Sequence, residues 1–259
     1  MRRSYDDSTG KAALHLVSAF ATHERLILGQ EATTEKSNEI TAIPVLLERL
    51  AQRGALAGAL VTTDAMGCNP RVTQSILGHN ADYLIALKGN QGNLLHDVEV
   101  FFGHACLLFD THTEYDKGHG RIEERTVRVT TDVSRLKTEK LPHIAAVACI
   151  DCRIETGSAT SQERRFYISS RPMTATSLLR AVRAHWQIEN ALHWVLDVTF
   201  KDDLSRVRKG HGAKNMAVVR HFALNLVRNA KDKKSIKTRR KLAGWDTAYL
   251  AALLVNSDS

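Results

Sequence analysis

The chain has 259 residues, of which 43% are hydrophobic and 25% charged, and its formal net charge is +8 at neutral pH. No stretch approaches the roughly 20 apolar residues of a membrane span, and the first residues lack the apolar run of a signal peptide, so we expect a cytoplasmic protein. The positive charge favours a polyanionic partner, with nucleic acid as the first candidate, although a solvated basic face would give the same charge. Four scattered cysteines are too few for a disulfide framework and agree with a reducing compartment.

The first sixty residues alternate predicted strands and a helix. Residues 13–20 and 26–30 are predicted as two short strands around a polar turn. Apolar residues at helical spacing predict a helix that begins near Ser37, with Pro44 in or near its first turns. The nearly unbroken apolar run of residues 55–63 predicts a strand buried on both faces.

Asp64 follows this predicted strand directly. Ligands of an open α/β sheet gather at the carboxyl ends of its strands, so Asp64 is a candidate site residue. The alternative is that Asp64 caps the next turn. Asn69 and Pro70 already supply a cap and a first-turn proline for the predicted helix Pro70–Gly78, which favours the site interpretation.

A second buried strand is predicted over residues 82–88, with the turn Gly89, Asn90, Gln91, Gly92 after it. If the two strands are parallel, Lys88 ends at the same edge as Asp64. Lys88 is therefore a candidate phosphate or metal-site contact and Asn90 a candidate DNA contact, and an ordinary turn into a helix over residues 94–102 is an equal alternative. Strands alternating with helices favour an α/β core.

Residues 103–171 have a different pattern. After a polar loop, alternating segments at 122–131, 144–154 and 163–170 predict an antiparallel β insertion between the core strands and a late helix. The arginines of this insertion could contact phosphates, but their scattered positions favour solvated strand faces.

The late helix is predicted within residues 176–208, and it carries Glu189. Seven residues separate Glu189 from Val182 and from Leu196, so the helical period places this carboxylate inside an apolar stripe. A buried carboxylate needs a cation, a hydrogen-bond donor or a metal. Glu189 is either a structural partner of a basic residue or a metal ligand. A zinc site of His185, Glu189 and His193 is rejected, because three ligands along one helix spread over about 12 Å.

The last sixty residues are rich in basic side chains. Arg206, Arg208 and Lys209 cluster in a polar link. A helix over 213–229 is predicted to turn Val218, Val219, Phe222 and Leu226 inward. Residues 231–241 are predicted as a mobile phosphate-binding tail or a solvated linker, before a short helix over 246–255 anchored by Trp245 and Leu250.

Seven segments together resemble the H-repeat-associated (ISAs1) family of insertion-sequence transposases, in the IS4-like group of DDE transposases. They are LHLVSAFA (14–21), LILGQ (26–30), KSNEITAIPVLLERL (36–50), VTTDAMGCN (61–69), DYLIALKGNQG (82–92), HWQIENALHWVLDVTF (185–200) and RHFALNLVR (220–228). The set is specific although no single segment is.

The resemblance implies an RNase H-like α/β core with the β insertion before the last catalytic helix, and an Asp-Asp-Glu triad that holds two Mg²⁺ ions. The second Asp corresponds to Asp64 and the Glu to Glu189. It also implies double-stranded DNA as partner (the ends of the element and its target), a homo-oligomer in a transposition complex, and a bacterial cytoplasmic, nucleoid-associated location. His185 stands where the wider group has an Arg, and is a candidate phosphate contact.

The resemblance further predicts that the chain begins after the first catalytic Asp, which the family carries in an Asp-Gly-Lys motif. Asp6 and Asp7 are the nearby substitutes, in a polar turn. We expect a truncated copy that is inactive alone; a non-catalytic remnant that binds DNA or intact transposase is the alternative. The predicted domains are residues 1–102 and 173–229 for the core, 103–172 for the insertion, and 230–259 for a basic tail with a terminal helix.

Overall fold

The computed structural model describes residues 4–5, 13–33, 39–103, 108–118, 120–134, 136 and 141–255. Internal contacts divide the chain into two compact units. The central unit is Ile43–His185, and the terminal unit combines Met1–Ala42 with Trp186–Ser259. The domain boundaries expected from the sequence, at 102/103, 172/173 and 229/230, remain a prediction.

Helices and strands alternate along the described residues. In chain order they are β1 (His15–Ala21), β2 (Leu26–Thr33), α1 (Glu39–Ala51), β3 (Leu60–Thr63), α2 (Pro70–Gly78), β4 (Asp82–Leu87), α3 (Gly92–Gly103), β5 (Asp110–Gly118), β6 (Arg121–Thr130), β7 (Ala146–Thr156), β8 (Ala159–Ser169), α4 (Ala175–Ile188), a π-helical segment (Glu189–His193), α5 (Trp194–Val198), α6 (Gly212–Asn229), α7 (Ile236–Trp245) and α8 (Thr247–Val255). None of the helices in the described ranges is long and apolar enough to cross a membrane.

The central unit is built on a mixed sheet with the strand order β3-β4-β8-β7-β6-β5. β3 and β4 are parallel, which the sequence left open, with Thr63 opposite Ile85, and the other neighbours are antiparallel. Leu178, Leu179 and Val182 of α4 pack on residues of this sheet, among them Val127 and Tyr167, in one buried cluster. The unit is therefore an α/β structure, and its sheet is continuous from the strand before Asp64 to β8.

Two strands of this sheet differ from the prediction. β3 covers only Leu60–Thr63, and its residues are half-buried, because it lies at the edge of the sheet among the described strands. The expected polar loop after residue 103 instead contains β5 (Asp110–Gly118), which pairs with β6 over its whole length. Most of its residues are exposed, and polar side chains bond across the strands, as in the 3.1 Å hydrogen bond that Tyr115 Oη donates to Glu124 Oε1. A polar edge strand lacks the apolar pattern on which strand prediction depends.

The terminal unit begins with the predicted pair of strands. β1 and β2 form an antiparallel hairpin, from His15 opposite Thr33 to Ala21 opposite Leu26. Asn225 of α6 holds this hairpin, because its side chain accepts a hydrogen bond from Ile27 N and donates one to Ile27 O at 3.0 and 2.9 Å. The core of the unit joins the hairpin to α5, α6 and α8 through Ile27, Leu192, Val195, Leu196, Leu224, Val227 and Leu253.

Three predictions for the C-terminal helices were wrong. α6 buries Ala213, Ala217, His221, Leu224 and Val227, while Val218, Val219 and Phe222 are each more than half exposed. The buried residues recur every three or four positions and so define one face of the helix, and Val218, Val219 and Phe222 lie off that face. Much of the expected basic tail or linker is helical, since α7 spans Ile236–Trp245. Its last residue, Trp245, is 77% exposed, and Leu253 replaces Trp245 and Leu250 as the buried anchor of α8.

Candidate catalytic site

Asp64 lies at the carboxyl end of β3, where the prediction placed it. Its carboxylate is exposed, and its Oδ1 accepts a hydrogen bond of 3.0 Å from the Met66 backbone N–H, which caps the 3₁₀ turn Ala65–Gly67. Asp64 therefore does cap this turn, and the cap uses its Oδ1. An exposed carboxylate fixed at a strand end retains the capacity to bind a cation.

The turn after Asp64 is held by the turn after β4. Asn90 Nδ2 donates to the carbonyl oxygens of Ala65 and Cys68 at 2.7 and 3.4 Å, and Gln91 Nε2 donates to that of Cys68 at 2.9 Å. Asn90 thus has a structural function that the sequence did not suggest, and its predicted contact with DNA stays a prediction.

Gly67 allows the Asp64 turn to close tightly. A Cβ on Gly67 would lie 2.2 Å from Thr63 Oγ1 and 2.7 Å from Thr63 Cβ, which is closer than real side chains approach. Only glycine therefore fits at this position without displacing the end of β3.

Lys88 and His185 are the other predicted site residues of the central unit. Lys88 is exposed directly after β4, and because β3 and β4 are parallel it lies at the same edge of the sheet as Asp64. His185 Nδ1 shares a hydrogen bond of 3.0 Å with Thr62 Oγ1. The imidazole is therefore attached to β3, two residues before Asp64 along the chain.

Glu189 is exposed, which corrects the prediction that it lies within a buried stripe. Its side chain is 57% exposed and its Oε1 lies 3.3 Å from His193 Nδ1. The regular helix α4 ends at Ile188, and the π-helical segment Glu189–His193 that follows widens the helix and changes the phase of the later residues relative to Val182. After it the buried positions are Ala191, Leu192, Val195 and Leu196. Glu189 belongs to the terminal unit and Asp64 to the central unit.

Arg206, Arg208 and Lys209 belong to the link before α6. Arg206 and Lys209 are exposed, while Arg208 is half-buried with its guanidinium carbon 5.0 Å from the centre of the Tyr5 ring. Arg208 therefore contributes to the packing of the terminal unit. Asp6 and Asp7, the expected substitutes for the first catalytic Asp, lie outside the described residues.

An acidic cleft that the prediction missed lies in the terminal unit. It has a volume of about 410 Å³, and its ionisable lining residues are His15, Glu189, His193, Asp197, Asp202, Asp203 and His221. One carboxylate oxygen from each of Asp197, Asp202 and Asp203 lies within 4.8 Å of the other two. Partial burial, and then the nearby charges of Asp203 and Asp202, raise the pKa of Asp197. The sequence signal was the run of acids just after the Glu189 helix.

Comparison with known proteins places the chain in a family. Residues 1–226 match the family described as Transposase DDE domain. The chain is 38% identical over 269 residues to "Putative transposase YncI" of Escherichia coli O157:H7, with 99% of this chain and 67% of that protein covered. It is 37% identical over 268 residues to "H repeat-associated putative transposase YhhI" of Escherichia coli K12, covering 99% of this chain and 70% of that protein.

A shorter relative gives the highest of these identities. "H repeat-associated putative transposase YbfD" of Escherichia coli K12 is 44% identical over 135 residues, 51% of each protein. The chain therefore belongs to the H-repeat-associated transposases, a family of DDE transposases. The resemblance read from the seven sequence segments is confirmed.

Proposed function

We propose that this protein is a transposase that cuts and joins DNA strands by divalent-metal-dependent phosphoryl transfer, with Asp64 and Glu189 as two of its catalytic carboxylates. The observation that carries the proposal is the Asp64 turn. It presents an exposed carboxylate at the end of β3, at the same edge of the sheet as Lys88, in a chain with a DDE transposase domain.

The donor atoms at these two positions suit Mg²⁺, the ion expected from the family. Asp64 and Glu189 offer hard carboxylate oxygens in exposed positions. Two bound Mg²⁺ ions would activate the attacking hydroxyl and stabilise the leaving oxygen of an in-line displacement. His193 Nδ1 lies 3.3 Å from Glu189 Oε1 and can restrain that carboxylate.

His185 and Lys88 would hold the DNA phosphate in this proposal. Thr62 and His185 are hydrogen-bonded within the central unit. Thr62 comes two residues before Asp64 in the chain, and His185 comes four residues before Glu189. Lys88 brings a positive charge to the edge of the sheet that carries Asp64. Cations at this edge would attract a phosphodiester to the carboxylates.

The main DNA-binding surface in this proposal is the segment before and within α7. Residues 231–241 contain seven basic residues and one acidic residue, a net charge of +6 in a chain whose total is +8. Lys231, Lys233, Lys237, Arg240 and Lys241 are exposed. Such a surface binds the phosphate backbone without sequence preference, so its affinity falls steeply with salt.

A second candidate function is DNA binding without cleavage, by a remnant that binds DNA or intact transposase. The observation that favours it is the concentration of positive charge in residues 231–241, remote from Asp64 along the chain. DNA affinity is then separable from catalysis. Assembly into a homo-oligomer on DNA belongs to the proposal as well.

The test is nicking of DNA that carries the ends of the element, in Mg²⁺, by this chain and by a form extended upstream through the Asp-Gly-Lys motif. Asp64→Asn and Glu189→Gln should abolish nicking by the active form and leave DNA affinity unchanged, while Glu24→Gln, at an exposed acid outside the cleft, should do neither. Nicking by the extended form alone would mean that the first Asp comes from that extension. If both forms bind DNA and neither cuts it, the catalytic proposal fails and the second candidate stands.

A further inference from the structure

The C-terminal end of α7 exposes a large aromatic ring. Trp245, the last residue of α7, is 77% exposed, against 58% for Trp194 and 48% for Trp186, the other tryptophans of the chain. A ring with so little burial contributes little to the folding of the terminal unit. Tryptophan is enriched at binding surfaces, so Trp245 is a candidate contact for a ligand.

Two lysines share the side of the helix that carries this ring. Lys237, Lys241 and Trp245 are spaced by four residues, so they follow one another along one side of α7 with a rise of about 6 Å per step. Both lysines are exposed, and the Lys241 ammonium lies 5.8 Å from the centre of the Trp245 ring. These three residues, the lysine–tryptophan stripe, therefore place positive charge directly beside an aromatic ring.

The backbone on both sides of Trp245 is fixed. Before it, α7 is held by Arg239, whose Nη1 donates to a backbone carbonyl oxygen of α6 at 2.6 Å. After it, Asp246 Oδ1 accepts the backbone N–H groups of Ala248 and Tyr249 at 2.9 and 3.0 Å, at the start of α8. The ring is therefore attached to a rigid support, which reduces the entropy that is lost when a ligand binds.

A nucleotide with an unpaired base offers a partner for each part of the lysine–tryptophan stripe. Its base can stack on the indole ring, and its phosphates can pair with the lysines. In a duplex the bases are already stacked on one another, and taking one out of the stack costs free energy. The ring therefore distinguishes unpaired from paired DNA, while the lysines can bind both.

We propose that Lys237, Lys241 and Trp245 form a binding site for unpaired DNA, in which the ring of Trp245 stacks on a nucleobase. The inference rests on the proposed DNA-binding surface of residues 231–241, and it adds the form of DNA that this surface prefers. Because stacking is tolerant of sequence, the site should accept any base.

A second copy of the chain is the competing occupant, because Leu250 and Val255 of α8 are also exposed. A two-fold contact uses the same patch on both copies, so it would place Lys237 and Lys241 of one copy near those of the other. Like charges across an interface are unfavourable, whereas a polyanion neutralises them. The charge of the stripe therefore favours DNA.

Binding of labelled oligonucleotides to the full chain, measured by fluorescence anisotropy, tests the proposal. Single-stranded oligothymidine is compared with a duplex of the same length at the same salt concentration. Trp245→Ala should weaken binding of the single strand by roughly fivefold to a hundredfold, the range for loss of one stacked base, and binding of the duplex by less than about twofold. Trp245→Phe, which keeps an aromatic ring, should retain most of the affinity.

Two further variants separate stacking from charge and from exposure in general. Phe222→Ala removes another exposed aromatic ring of the same unit and should change neither affinity. Lys237→Gln should reduce the salt dependence of both affinities, whereas Trp245→Ala should leave it unchanged, because the ring carries no charge. Circular dichroism shows whether each variant is folded.

A second measurement follows the ring itself. Changing Trp186 and Trp194 together to Phe leaves Trp245 as the only tryptophan of the chain. The single strand should quench its fluorescence strongly, and the duplex should quench it much less, because only an unpaired base can stack on the ring.

The proposal is overturned if Trp245→Ala binds the single strand as tightly as the unchanged chain does, or if it weakens the single strand and the duplex equally. It is also overturned if Trp245→Ala dissociates an oligomer in sedimentation while DNA affinity is unchanged, which would assign the stripe to a second copy. If the unchanged chain binds neither form of DNA, the proposed DNA-binding surface fails as well. The two failures are therefore distinguishable.

Discussion

Replacing Gly67 by alanine tests whether the turn that presents Asp64 depends on close packing against β3. The added methyl group would lie 2.2 Å from Thr63 Oγ1 and 2.7 Å from Thr63 Cβ. Both atoms belong to a β-branched side chain at the end of a strand, which has little freedom to rotate away. The end of β3 or the 3₁₀ turn must therefore move.

The size of the effect follows from two opposing contributions. Forcing one methyl group into a packed site costs about 1–3 kcal/mol. Replacing glycine reduces the entropy of the unfolded chain, which returns about 0.4–1 kcal/mol. The free energy of unfolding should consequently fall by about 1–2 kcal/mol.

Urea unfolding of the Gly67→Ala and Gly78→Ala variants, each compared with the unchanged chain, measures this change in the free energy of unfolding. Gly78 is the last residue of α2, and a Cβ there would meet nothing within 4 Å, so its replacement should be neutral or stabilising. Gly67→Ala should also slow nicking by the active form, because Asp64 and the turn move together. Equal stability of the two variants would refute the packing argument, and unchanged nicking would show that the turn does not position the carboxylate.

Three further outcomes follow from other parts of the structure. The first concerns His221, whose pKa is lowered to about 4 in the folded state, so that between pH 6.5 and 4 the unfolded chain binds a proton that the folded chain does not. The free energy of unfolding should therefore fall by up to about 3 kcal/mol as the pH drops through that window. His221→Gln should remove this pH dependence. The second concerns Arg239, which is 8% exposed and whose Nε lies 2.8 Å from Asp232 Oδ1. Arg239→Met should lower the melting temperature far more than Lys237→Met, because Lys237 is exposed. The third concerns the slope of the logarithm of DNA affinity against the logarithm of salt concentration. Changing Lys233 and Lys237 together to Gln should reduce this slope by about 2, whereas Lys117→Gln on β5 should leave it unchanged. Equal slopes for all variants would mean that the DNA binds elsewhere.

Elements whose signals are local could be predicted from the sequence. The helix Pro70–Gly78 begins and ends where predicted, because Asn69 caps it and Pro70 fits its first turn. The side chain of Asn69 accepts the Arg71 N–H at 2.9 Å. Asp64 was also placed correctly at the end of a strand, since an apolar run that ends in an acid is visible without tertiary information.

Elements set by tertiary contacts could not be predicted in the same way. The period that put Glu189 in a buried stripe assumed a regular α-helix, and one π-helical segment changed which residues are buried. α6 was assigned its inward face by side-chain size, yet it packs through Ala213 and Ala217 and leaves Phe222 57% exposed.

The acidic cleft was missed for a related reason. Its members come from separate elements, among them α5, a short turn and α6, and Lys201, with its left-handed backbone, lies between Asp197 and the other two aspartates. His221 looked like a surface residue beside Arg220, whereas it is buried. Backbone reversals of this kind have no signal in residue periodicity.

The most direct test of the central claim is metal rescue at Asp64. In the form of the chain that nicks DNA, Asp64→Cys should be inactive with Mg²⁺, because a thiolate is a poor ligand for this hard cation, and should regain activity with the softer Mn²⁺ or Cd²⁺. Asp64→Ala, which offers no ligand atom, should stay inactive with every metal. Rescue of the Cys variant alone would show that Asp64 ligates the catalytic metal. Full activity of Asp64→Ala in Mg²⁺ would contradict the account.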